Sequence, residues 1–184
     1  MKRKTTKEIL AESFREVAEY RPVDRITIRE IVDNCEYSPA TFYRHFRDKY
    51  DLIAWDYVHQ TNKIMNRVGT DAYEWKDTLT DGIRYFRENK EYMQNLLCNT
   101  SGHDAFIRYL SEANTGHLTR CILKLTGRKT LDDDMAVLVK IYCFGTVQLV
   151  CQWLLDEIRI EEAHLVELLE KALPDALREI ICQE

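Results

Sequence analysis

The sequence has few of the residues that interrupt helices, with only 6 glycines and 3 prolines among 184 residues. The alternation of apolar and polar residues that is typical of β-strands is absent beyond Gly69. Segments with helical spacing follow one another there, and short polar breaks separate them at 69–71, 99–102, 127–130 and 156–160. The sequence therefore predicts an all-α protein.

Long apolar runs and paired cysteines are also missing. No stretch reaches the roughly 18 apolar residues that a membrane span needs, and the basic start at residues 1–4 leads into a polar amphipathic segment. We therefore expect a soluble, cytoplasmic protein. The 6 cysteines are scattered without a C-x-x-C pair, and most have apolar neighbours, which favours reduced thiols packed as small hydrophobic side chains.

Catalytic signatures are absent as well. The sequence contains no nucleophile elbow, no glycine-rich loop of the kind that holds phosphates and no paired catalytic motif, so we expect neither enzymatic activity nor a cofactor.

One alternative is a helical metalloenzyme, because His117 and Cys121 stand at i and i+4 and Glu161-x-x-His164 repeats one element of a di-iron site. No third ligand is near the first pair and no second copy of the Glu-x-x-His element exists, so we expect no metal site. We expect a packed Cys121 beside a partly exposed His117.

A short, separately capped helix is predicted after residue 37. Ser38 is a good N-cap and Pro39 suits the first helical position, while Asp48 offers the cap of the next helix. At roughly 100° per residue, Phe42 and Phe46 share the inward face of this helix. The outward face and its edges carry Ala40, Thr41, Tyr43, Arg44 and His45.

These outward side chains suit the major groove of DNA, where base edges and phosphates both need hydrogen-bond donors. We therefore interpret the segment as a DNA-recognition helix. The alternative is an ordinary solvated face, which the order of caps and aromatic anchors disfavours.

Two capping boxes precede this helix, Thr5-x-x-Glu8 and Thr27-x-x-Glu30. They predict a first helix at about residues 6–20 and a second that begins at 28 and stops near Asn34. The second helix, a tight turn and the recognition helix form a helix-turn-helix, and the first helix is available to close a three-helix core.

The charge of the chain is divided unevenly. The formal net charge is −5, and of this residues 1–52 carry +1 and the remainder −6. Because the first region is only weakly basic, its affinity for DNA depends on where the cations lie. The cations expected to matter are Lys2, Arg3, Lys4, Lys7, Arg44, Arg47 and Lys49.

The block from Thr27 to Ile53 resembles the helix-turn-helix of the TetR/AcrR family of transcriptional regulators. It shares the Thr-Ile opening, the Ser38 cap, the Tyr43-Arg-His-Phe46 spacing and a lysine, Lys49, at the start of the next helix. The resemblance implies that phosphates are held by Thr27, Thr41, Tyr43 and Lys49. It implies that bases are met by Pro39, Ala40, Arg44 and His45.

One position departs from the family pattern. Glu36 occupies the turn before the recognition helix, where the family usually has glycine and where a positive φ is favoured. The substitution also puts a carboxylate near DNA.

Two apolar segments stand out in the second region. Residues 141–155 are apolar nearly all round, which predicts a helix covered on both sides, and a second stripe continues through Pro174, where the helix should kink or restart. The stripe consists of Leu165, Leu169, Ala172, Leu173, Ala176 and Ile180. Together the two segments can pair with a second copy of the chain across a two-fold axis.

Phe144-Gly145 followed by Trp153-Leu154 resembles a subgroup of the family that includes activators of dihydroxyacetone kinase operons. That resemblance implies control by a partner protein in place of a small molecule.

Aromatic and polar residues of the second region are candidates for an effector pocket, with plain core as the equally weighted alternative. The candidate lining residues are Tyr85, Tyr92, Phe106, Tyr109, Cys121, Tyr142 and Gln148.

The resulting hypothesis has a DNA-binding domain at 1–50 and an effector-binding and dimerisation domain at 51–184. The chain is expected to be a homodimeric regulator on a palindromic operator, and a ligand-responsive repressor. An effector would shift the fourth helix and thereby the separation of the two recognition helices. One alternative is a regulator or activator controlled by a protein partner. Another is a protein-interaction module, in which the long apolar helices recruit a different protein and DNA binding serves as the tether.

Overall fold

The computed structural model describes residues 3–70, 73–100 and 103–182. Within these ranges the chain forms ten α-helices, one 3-10 turn and no β-strand, which confirms the predicted all-α class. The helices are α1 (Thr6–Ala18), α2 (Ile28–Asn34), α3 (Pro39–His45), α4 (Lys49–Met65), α5 (Trp75–Glu88), α6 (Lys90–Asn99), α7 (His103–Thr126), α8 (Asp133–Leu154), α9 (Glu162–Lys171) and α10 (Asp175–Ile181).

The chain divides into two compact units. Unit 1 comprises Met1–Gln60 and Glu91–His103, and unit 2 comprises Thr61–Lys90 and Asp104–Glu184. Helix α4 therefore continues from unit 1 into unit 2, and this division differs from the boundary expected after residue 50. The reason is that the first half of α4 carries apolar side chains that are buried in unit 1, namely Leu52, Ile53 and Tyr57.

Unit 1 is built around a three-helix core. The buried side chains come from α1 (Leu10, Phe14, Val17), α2 (Ile31, Val32) and α3 (Phe42). A buried hydroxyl reinforces the contact between α1 and α2, because Ser13 Oγ donates to the Ile31 carbonyl at 2.6 Å.

Both expected capping boxes are present in unit 1. Thr5 caps α1 with Glu8 returning to its backbone, and Thr27 caps α2 with Glu30 doing the same. The hydrogen bond from the Thr5 backbone to Glu8 is the main reason that the pKa of this carboxyl falls to about 2. Each box satisfies two amide groups that have no partner inside the helix, which is why these short helices begin where they do.

Helix α8 is the central helix of unit 2. Its 22 residues are long and apolar enough to cross a membrane by length and composition, but seven of them pack inside the unit as core. These buried residues are Val139, Tyr142, Cys143, Val147, Val150, Cys151 and Leu154. Val137 and Ile141 remain exposed, so the single chain covers α8 on one side only, and the cover expected on its other side stays a prediction.

The second apolar stripe faces the interior of unit 2. Leu165, Leu169 and Leu173 are almost fully buried, and the helix restarts at Pro174, as expected from the missing amide and fixed φ of proline. The largest side chains of the stripe are therefore buried within one chain. They do not form an outward apolar face together with α8.

Candidate nucleic-acid interface

Helix α3 is held by a cap at its start and by an aromatic cluster on its inner face. Ser38 Oγ accepts from the Thr41 amide at 3.2 Å, and Pro39 occupies the first turn, where no amide hydrogen is needed. Phe42 is fully buried, and its ring centroid lies 5.7 Å from that of Phe46.

The aromatic cluster continues from α3 to α4. The Phe46 ring lies 5.7 Å from that of Trp55, and the Lys7 ammonium sits 5.0 Å from the Phe46 centroid. These contacts pack the end of α3 against α4 and α1 inside unit 1.

The opposite face of α3 is open to solvent. Tyr43 is 60% exposed, and Ala40 and Arg44 are exposed, as the helical spacing predicts. Thr41 and His45 lie half-buried along one edge. No hydrogen bond or ion pair within the described part of the chain engages the Arg44 guanidinium. The side chain is therefore available to a ligand.

Two of the hydroxyls implied in phosphate binding already have partners at helix starts: that of Thr27 caps α2, and that of Thr41 pairs with the Ser38 cap of α3. Thr27 Oγ1 accepts from the Glu30 amide at 3.2 Å, and Thr41 Oγ1 lies 3.1 Å from Ser38 Oγ. Both sit in exposed or half-buried positions at the amino ends of α2 and α3.

Lys49 has a different environment from the one that the resemblance implies. Its ammonium donates to the carbonyls of Val23, Asp24 and Ile26 at 2.8, 3.0 and 2.9 Å. Partial burial lowers the pKa of the ammonium, which nearby carboxylates partly offset. All three ammonium hydrogens are used, so this geometry does not support a direct phosphate contact and favours a structural role.

Glu36 adopts the left-handed conformation that its position favours, with φ of 58°. The turn between α2 and α3 therefore keeps the shape expected for glycine, at a cost in backbone strain. Its side chain is exposed.

Two of the cations expected to matter for DNA binding, one before α1 and one after α3, pair with acidic neighbours. Lys4 Nζ lies 2.6 Å from Glu12, and Arg47 Nε lies 3.2 Å from Asp48. Arg3 is exposed, and Lys2 lies outside the described residues. Arg44 is the arginine that α3 itself exposes.

The candidate effector residues are not all brought together. Tyr85, Phe106, Tyr109, Cys121 and Tyr142 belong to unit 2, whereas Tyr92 belongs to unit 1, where its ring lies edge-on to Phe14 at 6.2 Å. Gln148 is exposed on α8. The phenol of Tyr142 is used internally, because it donates to the Leu169 carbonyl at 3.0 Å.

Two surface grooves of unit 2, of about 370 and 350 Å³, are lined by other residues, at 153–161 with Lys90 and between α5 and α9. Neither contains any of the seven candidates.

His117 is buried, in contrast to the partly exposed position expected beside Cys121. The Arg120 guanidinium can only donate, so His117 Nδ1 accepts at 2.9 Å and Nε2 donates to Thr61 Oγ1 at 3.0 Å. Burial, with a smaller effect of Arg120, lowers the pKa of the imidazole to about 4. Among the described residues, no three His, Cys, Asp or Glu side chains form a group that could hold a metal ion.

Asn95 on α6 is a side chain that the sequence analysis missed. Its carboxamide contacts the segment between α1 and α2, which is more than 70 residues earlier in the chain. Only a long-range contact marks its role, so no local pattern identifies it.

Comparison with protein families covers both regions. Residues 9–54 match the family of bacterial regulatory proteins described as the tetR family, and residues 73–175 match a transcriptional regulator C-terminal region. The second match alone spans more than half of the chain. The chain belongs to the TetR family of transcriptional regulators. Regulators of this family bind DNA operators and function as dimers.

A curated relative of this TetR-family chain is the HTH-type dhaKLM operon transcriptional activator DhaS of Lactococcus lactis subsp. lactis (strain IL1403). The two are 24% identical over 91 residues, which is 50% of this chain and 48% of the relative. The match thus spans about half the length of that curated protein.

Solved structures share the fold. The dihydroxyacetone kinase operon activator DhaS has a TM-score of 0.68 at 16% identity, with 96% of this chain and 98% of that chain covered. A TetR regulator from Rhodococcus sp. RHA1 has a TM-score of 0.60 at 17% identity, with coverage of 92% and 94%. The AlkX repressor from Dietzia sp. has a TM-score of 0.58 at 13% identity, with coverage of 98% and 100%.

Proposed function

We propose that this TetR-family chain is a homodimeric regulator that reads a near-palindromic operator with α3. The observation that carries the proposal is the two-faced character of α3. Its inner face is buried through Phe42, and its outer face leaves Tyr43 and Arg44 exposed. In a dimer, the two copies of α3 enter successive major grooves about one duplex turn apart.

Base reading is assigned to Pro39, Ala40, Arg44 and His45, and backbone contacts to Thr27, Ser38, Thr41 and Tyr43. Arg44 is the proposed bidentate partner of a guanine, because its five donors match the two acceptors of that base in the major groove. We leave Lys49 out of the proposed phosphate set, because three internal carbonyls accept from its ammonium.

Selection of operators from random duplex DNA tests the proposal. The parent protein should return an inverted repeat, and Arg44→Ala should relax one position per half-site at a cost of about 1 to 3 kcal/mol. Arg47→Ala is the matched control, because this exposed arginine follows α3 and should change affinity without changing the consensus. An unchanged consensus for Arg44→Ala contradicts its assignment, and recovery of no sequence by the parent contradicts the function.

Dimerisation is assigned to the uncovered side of α8. Val137 and Ile141 are 57% and 63% exposed and stand one turn apart. Large apolar side chains so placed on a core helix are typical of a surface covered by a partner, and a second copy is the partner that a palindromic operator requires.

Control of DNA binding is assigned to unit 2. An effector bound there would displace α4, which is continuous with unit 1, and change the separation of the two α3 helices. We propose that the chain is a ligand-responsive repressor; the AlkX neighbour is named a repressor.

An activator controlled by a protein partner is the second candidate, and the name of the DhaS relative favours it. Transcription in vitro from a promoter that carries the selected operator separates the two. A repressor lowers transcript yield when purified protein is added alone. An activator raises it, alone or after addition of a partner recovered with the tagged protein.

A further inference from the structure

The connector between α1 and α2, residues 19–27, is held from two sides inside unit 1. It contains one 3-10 turn, Val23–Arg25, and leads directly into Thr27, the cap of α2. On one side, Lys49 of α4 donates to three of its carbonyls, as described above.

Asn95 of α6 holds the other side of the connector. Its Nδ2 donates to the Ala18 and Arg21 carbonyls, both at 2.7 Å, and its Oδ1 accepts from the Val23 amide at 3.1 Å. The Ala18 carbonyl lies in the last turn of α1, where helix carbonyls have no partner within the helix. The carboxamide of Asn95 thus binds a carbonyl at the end of α1 and the first amide of the 3-10 turn.

The two anchors meet at Val23. This residue donates its amide hydrogen to Asn95 and accepts the Lys49 ammonium on its carbonyl, and its side chain is fully buried. Because both backbone groups of Val23 are bound, the path of the connector into α2 is set by α4 and α6 together.

We propose that Asn95 is a positioning residue for DNA reading: through the connector it fixes where α2 and α3 sit on the core of unit 1. Asn95 lies on α6 and its hydrogen bonds go to residues 18–23 and to Asn99, so its proposed action is through the connector and not through DNA. The proposal rests on the proposed function, since it concerns the placement of the same recognition helix.

The variants separate the hydrogen bonds from the volume of the side chain. Asn95→Asp keeps the shape and the acceptor for Val23 but sets a carboxylate against the Ala18 and Arg21 carbonyls. Asn95→Ala removes the three bonds to residues 18–23, together with the one that Asn95 accepts from Asn99. Asn99→Ala is the matched control on the same helix, because it removes the bond that Asn99 Nδ2 donates to Asn95 Oδ1, at 3.1 Å, and leaves the three bonds to residues 18–23 in place.

Operator affinity, measured by fluorescence anisotropy on the selected operator, is the first readout. Asn95→Asp and Asn95→Ala should bind about 3- to 30-fold more weakly, with the parent's salt dependence and consensus, because no phosphate or base contact is removed. Asn99→Ala should stay within about two-fold of the parent.

A second control distinguishes positioning from loss of stability. Ile53→Val removes one methylene from the core of unit 1 and lowers the melting temperature without touching the connector. At matched distance below the melting temperature, it should bind the operator as the parent does. Equal weakening by Ile53→Val and Asn95→Asp overturns the proposal, as does parent-like affinity of both Asn95 variants.

Hydrogen exchange at the Val23 amide is the second readout and needs no DNA. Exchange should accelerate at least ten-fold in Asn95→Ala and much less in Asn95→Asp, which keeps the acceptor. Unchanged exchange in Asn95→Ala overturns the proposal. If the parent selects no operator, the proposed function fails, and Val23 exchange alone then decides whether Asn95 holds the connector.

Discussion

At the scale of single residues, the side chains with the most distinctive environments are polar groups whose partners lie far along the chain. His117 bonds to Thr61, Lys49 to residues 23–26 and Asn95 to residues 18–23. Each is satisfied inside one unit, so each is expected to act on stability or placement and not as a free ligand.

His117 makes unit 2 sensitive to acid. Its folded pKa of about 4 lies below the ordinary value of 6.5, so the unfolded chain takes up the proton first as pH falls. The stability that the neutral imidazole contributes is complete above pH 6.5 and declines as pH falls toward 4. The full loss is on the order of 3 kcal/mol.

His117→Gln, which does not titrate, should therefore show a flatter fall in unfolding free energy between pH 6.5 and 4.5. Urea denaturation at several pH values measures this slope. Carboxyls such as Glu8 are the same in variant and parent, so their proton uptake contributes equally to both slopes. Equal slopes for variant and parent contradict the assignment.

Lys49→Met should destabilise the protein, because three carbonyls of the connector lose their donor. The expected loss is about 1 to 3 kcal/mol, measured by urea denaturation. Lys4→Met, at an exposed ion pair, is the control and should change stability by less than about 1 kcal/mol. A reduced salt slope for DNA binding with unchanged stability would restore the phosphate role of Lys49.

At the scale of elements, local capping signals explain why the first helices begin where they do. The turn between α2 and α3 departs from the usual local pattern, because Glu36 and not glycine adopts the positive φ. The strain is local to one residue and leaves the helices on either side intact.

Glu36→Gly should raise the unfolding free energy by about 0.5 to 1 kcal/mol, because glycine adopts the positive φ without the Cβ penalty. Glu36→Ala removes the same carboxylate but keeps the Cβ, so it should bring no such gain. Thermal and urea denaturation compare the three proteins. A gain of equal size in Glu36→Ala would assign the effect to charge.

At the scale of the whole molecule, the family match and the exposed side of α8 both support the proposed dimer. Val137→Glu and Ile141→Glu should shift the protein from dimer to monomer, because each places a charge in an apolar interface. Light scattering after size exclusion measures the mass of the particle.

Thr130→Glu adds the same charge at an exposed position between α7 and α8 and should leave the dimer intact. A parent that is monomeric at micromolar concentration would contradict the assignment of this surface.

How much the sequence could predict depends on the distance over which each feature is encoded. The all-α class, the family, the capping boxes and the two-faced α3 were predicted and are confirmed, because caps and helical spacing act within a few residues. The restart at Pro174 belongs to the same group. The outward placement of Arg44 also follows from spacing, while its role on DNA stays a prediction.

The features that were expected differently all depend on packing between distant segments. The 165–173 stripe faces inward, His117 is buried, Tyr92 lies in unit 1, and Lys49 is engaged by carbonyls. Periodicity shows that a helix has an apolar face but not which neighbour covers it.

By itself the sequence determined the helices, their ends and the order of the helices in the helix-turn-helix, since these depend on neighbouring residues. Only the tertiary structure decided that α6 joins the unit that carries α3, and that Asn95 and Lys49 hold one connector from two sides. The physical reason is that a hydrogen bond across some 70 residues leaves no local pattern, because either partner alone looks like an ordinary polar side chain.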